Sequence, residues 1–500
     1  MSFTSASFLL LTALCVVLYY ALPKRCGWAV LLVSSMAFYA ACGARALAWL
    51  LGVVLVTWLG GLALGKLSEK KKKKAKKGIV AAVCLLCFGL LFAMKYLDYV
   101  LQTLGTGRSV GLIMPLGLSF FTFQSVSYVI DVYRGKTVPE KNPLKYLLFV
   151  SFFPQMVQGP IGRYGALAPQ LTAGPTLDWR SVKFGIELAM WGYFKKLVIA
   201  DRAAVLVNNV IKENTPYGGA VIAFGILTYC VQLYCDFSGG IDISRGVAQM
   251  MGIEMAENFR RPIFATSLAD YWRRWHITLG GWMRDYVFYP ISLSKPFVKL
   301  GKWARKHLGG LPGKMLATSL ATFIVYLIIG IWHGSSLKYI AFGLWNGAII
   351  TASLLLEKRF GVWKEKLHID DKSAGWRIFQ TLRTACLVFI GRYLTKAPRF
   401  LTALSLLKTT VFRPVPSQLI DGTILKLGLS AKDLIIIGAG TVVILFLEFL
   451  QERGVKLRES LEKQSAFVQW LTIFIPLVVL LLLGVFRGSY ISSEFIYKQF

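Results

Sequence analysis

This 500-residue chain has only four histidines, and two of them stand where chemistry is possible. His333 lies in "GIWHGSS", Gly330 to Ser336, where one long apolar run ends and another is about to begin. An imidazole withdrawn from water is held neutral, because desolvation disfavours the imidazolium. A neutral imidazole can take a proton from a hydroxyl or thiol, which contributes about 10²–10⁴-fold in rate. Gly334, Ser335 and Ser336 leave room for a substrate beside it. The same histidine can instead cap a helical hairpin by hydrogen bonding, and the motif leaves both roles open.

His276 lies in "LADYWRRWHITLGGWMRDYVFYP". On a continuous helix Trp272 and His276 would share a face, as would Tyr271 and Trp275, and Asp270 and Arg274 would form an i, i+4 ion pair of favourable order. The stretch reads either as an interfacial helix with an aromatic belt or as a histidine with arginines at a substrate entrance. Arg273, Arg274 and Arg284 suit a phosphate or pantetheine-type donor, because a guanidinium binds phosphate through two parallel donors. His307 and His368 sit among charged residues and read as solvated.

"YCDFSGGIDISRG" sets Ser238 between Asp236 and Asp242, but no G-x-S-x-G elbow surrounds the serine. Asp236 is therefore expected to be a structural or orienting carboxylate. No His/Cys/Asp spacing suggests a metal site, and no bound cofactor is expected. Most of the eight cysteines lie in apolar runs. "CLLC" at Cys84 has a redox spacing but no second cluster, so packing is the better reading and no disulfide framework is expected.

The elements that hold these residues are membrane elements. The chain is 55% hydrophobic, with a mean hydropathy of +0.57, and its apolar runs repeatedly approach the roughly 20 residues that span a bilayer. The net charge of +32 could suggest nucleic acid, but the cations cluster in short loops between apolar runs, as cytoplasmic loops do. Apolar runs cover 3–22, 27–43, 46–65, 78–97, 111–132, 145–158, 184–200, 218–236, 315–332, 338–356, 377–396, 433–449 and 467–486. The expected fold is all-α, a polytopic membrane protein with about 11–13 transmembrane or re-entrant helices. The runs at 111–132 and 145–158 carry Pro, Gly and polar residues and are expected to be broken. The Arg- and Trp-rich stretch 255–312 reads as short interfacial helices, and 357–376 as a loop. The whole chain reads as one membrane domain, with N-terminal spans over 1–100, a core over 111–356 and C-terminal spans over 377–500. The loop at Lys70–Lys77 is expected on the cytoplasmic side and the N-terminus outside.

Taken in order, "PLGLSFFTFQSVSYVIDVYRG", "FVSFFPQMVQGPIGRY", "YFKKLVIADR", "YCDFSGGIDISRGVAQMMGI", "ENFRRPIFATSLADYWRRWHITLGGWMRDYVFYP" and "GIWHGSS" resemble the membrane-bound O-acyltransferase family. The resemblance runs over nearly the whole chain. It is strongest to the bacterial branch that includes alginate O-acetyltransferases and D-alanyl-teichoic acid transferases. It implies a helical bundle around a central tunnel, with His333 at the family's catalytic histidine and His276 at its second. It also implies an acyl donor as co-substrate, acetyl-CoA or an acyl-carrier thioester, on the cytoplasmic side. The acceptor would be an extracellular polysaccharide or cell-wall polymer, with a surface acyltransferase or esterase-like partner protein. Extra apolar runs at 433–449 and 467–486 and the ending "SEFIYKQF" resemble the alginate type, although Lys498 interrupts that aromatic end. Asn346 stands where many acetyltransferase relatives carry another histidine. Two alternatives accompany this reading. One is D-alanyl transfer from a carrier protein to teichoic acid. The other, of a different class, is a transporter or flippase without covalent chemistry.

Overall fold

The computed structural model describes residues 2–67, 73–106, 108–112, 115, 117–156 and 158–486. The Lys70–Lys77 signal falls partly outside these residues, and the C-terminal "SEFIYKQF" with Lys498 falls wholly outside them. The described chain is helical. Its β contact is a single isolated antiparallel bridge between Phe259 and Trp275.

Among the described residues, six helices are long and apolar enough to cross a membrane: Ala44–Lys66, Lys73–Thr103, Gly219–Met250, Gly313–His333, Ala431–Glu452 and Ala466–Leu483. Leu337–Leu355 makes a seventh if it is joined to Glu357–Lys366 across a 62° bend. This is fewer full spans than the apolar runs suggest, because other runs become short, broken or buried helices. Ala6–Ala21 and Gly27–Ala40 are short. The 145–158 run is broken as expected, with a helix over Pro143–Ser151 followed by a 3-10 turn at Phe153–Gln155. The 111–132 run becomes helical only at Leu118, after Gly117 in the left-handed region, and the Leu118–Tyr133 helix is buried along nearly its whole length. Its apolar side chains are covered by protein. Ala466–Leu483 is the opposite case: only 6% of its most apolar window is buried, which leaves that surface for lipid. The helix Phe400–Phe412 corresponds to no run read as a span, and the 357–376 loop contains the helix Glu357–Lys366.

Gly219–Met250 is the axis of the molecule, with 61% of its spanning window buried. Trp179–Tyr193 crosses it at glycines. A Cβ on Gly192 would lie 2.5 Å from the Gly239 carbonyl oxygen, and one on Gly185 2.6 Å from that of Gly246. Small residues allow this backbone approach where lipid supplies no hydrophobic drive between helices. Past the crossing, the chain runs through a π-helical segment, Phe194–Ala200, into the Asp201–Val210 helix. The His333 helix and Leu337–Leu355 form a hairpin closed in the same way. A Cβ on Gly330 would lie 2.4 Å from the Tyr339 carbonyl oxygen, and one on Gly343 2.6 Å from that of Tyr326.

Hydrogen bonds gather several basic segments on one face. Tyr20 donates to the Met250 carbonyl (2.9 Å), next to Lys24 and Arg25. Trp58 Nε1 donates to the Glu140 carbonyl (2.9 Å), bringing the Lys66 end against the 134–145 loop. Tyr164 donates to Glu140 (2.6 Å) and Gln170 Nε2 to the Glu254 carbonyl (3.2 Å), which joins the two groups.

Candidate functional site

The site begins with the end of a helix. The last turn of an α-helix has carbonyls without partners inside the helix. In the Gly310–His333 helix two of these are taken by the neighbouring Lys73–Thr103 helix: Lys95 Nζ donates to the Trp332 carbonyl and Tyr96 Oη to that of Ile331. The ammonium also lies 5.5 Å from the centre of the Trp332 ring. A cation at a helix C-terminus is favourable to the helix dipole as well. Lys95 is 22 residues beyond Lys73, roughly 33 Å along the helix at its usual rise, so His333 sits far from the basic end of that helix.

His333 is half-buried, with Trp332 (4.9 Å between ring centres), Phe342 (5.9 Å) and Tyr339 (6.4 Å) around it. Gly334 closes against the Tyr339 ring, and Ser335 and Ser336 complete the turn into the next helix. Lys95, His276 and Arg392 lie close enough to act on the imidazole electrostatically.

His276 reaches this place by a break in the chain, not by the helix that the sequence suggests. The helix Leu268–Arg274 stops, Trp275 is extended, and His276 takes a left-handed conformation (φ 50, ψ 51) before Ile277–Met283 begins. Trp272 and His276 therefore do not share a helical face. The segment at 258–260 forces the break. Arg260 N–H donates to the Arg274 carbonyl (2.8 Å) and Ile277 N–H to the Asn258 carbonyl (3.0 Å), on either side of the Phe259–Trp275 bridge. Strained backbone of this kind persists where the surroundings over-determine it.

Asn258 also sets the imidazole's tautomer. Its Oδ1 accepts from Thr278 N–H (3.0 Å) and Thr278 Oγ1 (2.9 Å), and it lies 3.2 Å from His276 Nδ1. A backbone N–H can only donate, so the bonded Asn258 atom is the oxygen. An amide oxygen can only accept, so Nδ1 carries the proton and Nε2 the lone pair. His276 is buried, edge-on to Phe237 (4.8 Å) and 6.0 Å from Trp332. It lies between the spanning helices, and burial lowers its pKa from the ordinary 6.5 to about 3. Trp332 thus has two histidines near it, one on its own helix and one brought in from the broken segment.

Beneath Phe237 is a buried charge network. Lys196 Nζ donates to Asp236 (2.6 Å) and pairs with Asp201 (2.8 Å), and all three side chains are buried. Lys195 Nζ donates to Ser238 (2.9 Å) and Asp242 (2.5 Å). Both lysines lie on the π-helical segment. Asp236 is thus fixed one residue before Phe237, the ring against His276, and Ser238 is a lysine's partner.

The remaining candidates separate. Asn346 is buried, accepts from Trp272 Nε1 (2.9 Å) and donates to the Phe342 carbonyl (2.8 Å), one turn from the ring beside His333. Trp275 stacks on Tyr271 (5.5 Å between ring centres) with the Arg392 guanidinium 5.1 Å from its ring, so it is wall rather than reactant. Arg274 is bound to Asp270 (3.0 Å) and Glu452 (3.0 Å), the first as its spacing predicts. Arg273 and Arg284 are exposed, pairing with Asp270 (3.3 Å) and Asp285 (3.0 Å). None of these three arginines reaches the histidines by any of these contacts. His307 and His368 are exposed. No cluster of metal-ligating side chains occurs among the described residues, and all eight cysteines are free thiols.

Sequence reading missed Lys95, Asn258, Lys195 and Lys196. Lys95 and the lysine pair had a signal, since each is a cation inside an apolar run, which marks function or pairing in a membrane. Asn258 had none, because its role depends on a pairing across the chain.

A profile of the membrane-bound O-acyltransferase family matches residues 88–361, which contain both histidines. The chain is 33% identical over 384 residues to a probable alginate O-acetylase of Pseudomonas syringae pv. tomato, covering 75% of this chain and 68% of that one. It is 29% identical over 406 residues to a peptidoglycan O-acetyltransferase of Helicobacter pylori, covering 74% and 72%. It is 28% identical over 336 residues to a teichoic acid D-alanyltransferase of Bacillus subtilis, covering 66% and 80%. Matches to alginate O-acetylases span between 63 and 73% of those relatives' own length.

Proposed function

The chain belongs to the membrane-bound O-acyltransferase family, a polytopic membrane enzyme family, and from that premise we propose that it passes an acyl group, acetyl in the first instance, from a thioester donor on the basic, cytoplasmic face to a hydroxyl destined for an extracellular polysaccharide or cell-wall polymer. The donor is coenzyme A or an acyl-carrier thioester, and a surface acyltransferase or esterase-like partner completes delivery. His333 is the general base. It takes the proton of the attacking hydroxyl as the oxygen bonds to the acyl carbon, the carbon–sulfur bond breaks, and the proton passes to the departing thiolate. His276, neutral and with its Nδ1 proton fixed by Asn258, positions the reacting groups. Asp236 holds the Phe237 wall through Lys196.

The observation that carries this reading is the convergence of His333 and His276 on Trp332, far from the basic end of the Lys73–Thr103 helix. A proton acceptor there can meet an acceptor hydroxyl from the opposite side. The basic loops on the other face follow the positive-inside bias. The relatives include acetyl-transferring and D-alanyl-transferring proteins, and the released acid distinguishes the two.

The experiment is surface-polymer acylation in cells lacking the protein, complemented with wild type or His333→Ala. Base-released acids are identified as acetate or alanine. Wild type should restore ester, and the variant, at equal membrane level, should fall short by about 10²–10⁴-fold. Full restoration by His333→Ala would remove the histidine from the chemistry.

A further inference from the structure

Three helices enclose an apolar slot of about 410 Å³ that acyl transfer at the two histidines does not use. The central helix lines it from Leu227 to Cys235, Ala374–Lys396 from Thr384 to Arg392, and Ala431–Glu452 from Thr441 to Glu448. Each share is about two helical turns, roughly 10–12 Å at the usual rise, so the slot is elongated along the helices. Val231, Ile263, Val388, Phe389, Ile444 and Leu445 line it, together with the Tyr271 and Trp275 rings of the broken segment. Leu227, 56% exposed, lies at its edge on a spanning helix, so the slot borders the hydrocarbon of the bilayer. Its volume is in the range of small-molecule sites, and such sites are mostly apolar with a few polar groups that fix orientation.

One polar group on this wall lacks a full set of bonds. Thr384 donates to the Gln380 carbonyl (2.7 Å), Thr441 to the Ile437 carbonyl (2.7 Å) and Arg392 to Tyr271. Glu448 differs. It is 8% exposed, and one of its oxygens accepts from Tyr234. Its Oε2 is buried and has no hydrogen-bond partner among the described residues. Lys195 and Arg261 act on this carboxylate electrostatically, but their own short bonds go to Asp242 (2.5 Å) and Glu452 (2.6 Å). The nearby charge is thus shared out, while the oxygen still lacks a donor. A buried acceptor in that state is costly until a donor reaches it.

The direction of the slot identifies the occupant. Glu448 marks its end toward the basic face. Glu452, one turn on, pairs with Arg261 and Arg274, and just beyond it Arg458 donates to Gln249 (3.1 Å) beside the Met250 end of the central helix. Leu227 marks the other end, two turns from the Gly219 start of that helix. A ligand with its polar group at Glu448 and an apolar chain running toward Leu227 has the orientation of a lipid in the leaflet on the basic side. The slot also touches the site: Trp275, in its wall, immediately precedes His276.

We propose that this slot is a lipid site: one acyl chain of a phospholipid from the leaflet on the basic side fills its apolar part, and the lipid head group donates an O–H or N–H to Glu448 Oε2. The lipid is a resident of the fold and not a reactant, and the proposal does not depend on which group the protein transfers. Two of the three helices that build the slot, Ala374–Lys396 and Ala431–Glu452, lie outside the family-matched residues 88–361. A glycerol head group supplies the hydroxyl and an ethanolamine head group the ammonium; a choline head group has neither.

The test is photo-crosslinking of the full-length protein in nanodiscs, with phosphatidylglycerol, phosphatidylethanolamine and phosphatidylcholine that carry a diazirine in one chain. Labelled peptides are mapped, and unlabelled lipids compete. Labelling should concentrate on 384–392 and 441–448. Glycerol or ethanolamine lipid should compete at least about tenfold better than choline lipid. Glu448→Gln keeps an acceptor for Tyr234 but replaces Oε2 or its partner by a donor, and it should abolish that tenfold preference while choline lipid competes as before. Ala385→Phe and separately Val388→Phe put a ring into the slot and should cut labelling there at least about tenfold for every head group. Ala385 is exposed and Val388 half-buried, and an unchanged unfolding midpoint shows that each variant folds. A preference for the glycerol lipid alone names the hydroxyl as donor, and for the ethanolamine lipid alone the ammonium; either supports the site. Labelling confined to the exposed Ala466–Leu483 helix, equal competition by all three lipids, or full slot labelling in both folded Phe variants overturns the proposal.

Discussion

Removing the Asn258 side chain tests the most specific feature of the site. Its Oδ1 holds three donors at 2.9, 3.0 and 3.2 Å, and the residue is fully buried. A net hydrogen bond is worth about 1 kcal/mol, and a buried donor left unmade costs about 1–3 kcal/mol. Asn258→Ala should therefore destabilise the protein by about 3–5 kcal/mol, with the backbone bonds that flank the Phe259–Trp275 bridge still in place. The chemical effect should exceed the stability effect. Without an acceptor at Nδ1, the His276 proton is free to move to Nε2, and the lone pair turns away from its present direction. In detergent, ¹⁵N NMR of histidine-labelled protein reads the tautomer directly; four histidines make assignment by single replacement practical. Wild type should show His276 as the Nδ1–H form, and Asn258→Ala should lose that signal together with most acyl transfer. An Nε2–H wild-type ring, or an Asn258→Ala protein with unchanged spectrum and unfolding midpoint, would refute the reasoning.

Further outcomes follow from the packing and the charges. Lys196→Met leaves Asp236 and Asp201 buried without their shared cation and should cost about 3–5 kcal/mol in detergent unfolding; adding Asp236→Asn and Asp201→Asn should recover much of it. His276 has a folded pKa of about 3 against an ordinary 6.5, so the unfolded state binds the extra proton between those values. Stability should be full above about pH 6.5 and fall as pH drops toward 3, by up to about 1.4 kcal/mol per pH unit, and His276→Gln should remove that component of the slope in the same titration. Gly192→Ala would drive a methyl to 2.5 Å from the Gly239 carbonyl oxygen and should cost about 1–3 kcal/mol or more, whereas Gly438→Ala, on an open helix face, should stabilise by about 0.5–1 kcal/mol in the same unfolding assay.

Much of this protein is decided locally and so is legible in its sequence. Apolar runs and short basic loops fix a polytopic helical membrane protein, because the bilayer forces each span to satisfy its own backbone. "GIWHGSS" places His333 at a hairpin turn on sequence alone, and Asp270 with Arg274 pair as their spacing requires. What the sequence could not decide depends on contacts between distant segments. An apolar run reads the same whether lipid or protein covers it, so the sequence shows where the 111–132 run breaks but not that the Leu118–Tyr133 helix is buried in protein along nearly its whole length. The "WRRWH" stretch has helical spacing throughout, yet Asn258 and Phe259 pair with it across the chain, end the helix at Arg274 and turn His276 toward Trp332. Arg274 looked available for a donor until Glu452, 178 residues away, neutralised it, while Glu448 met Tyr234 only when the C-terminal helices closed over the central one. Periodicity reports which face of an element is apolar; it does not report what that face meets, and the site is made of those meetings.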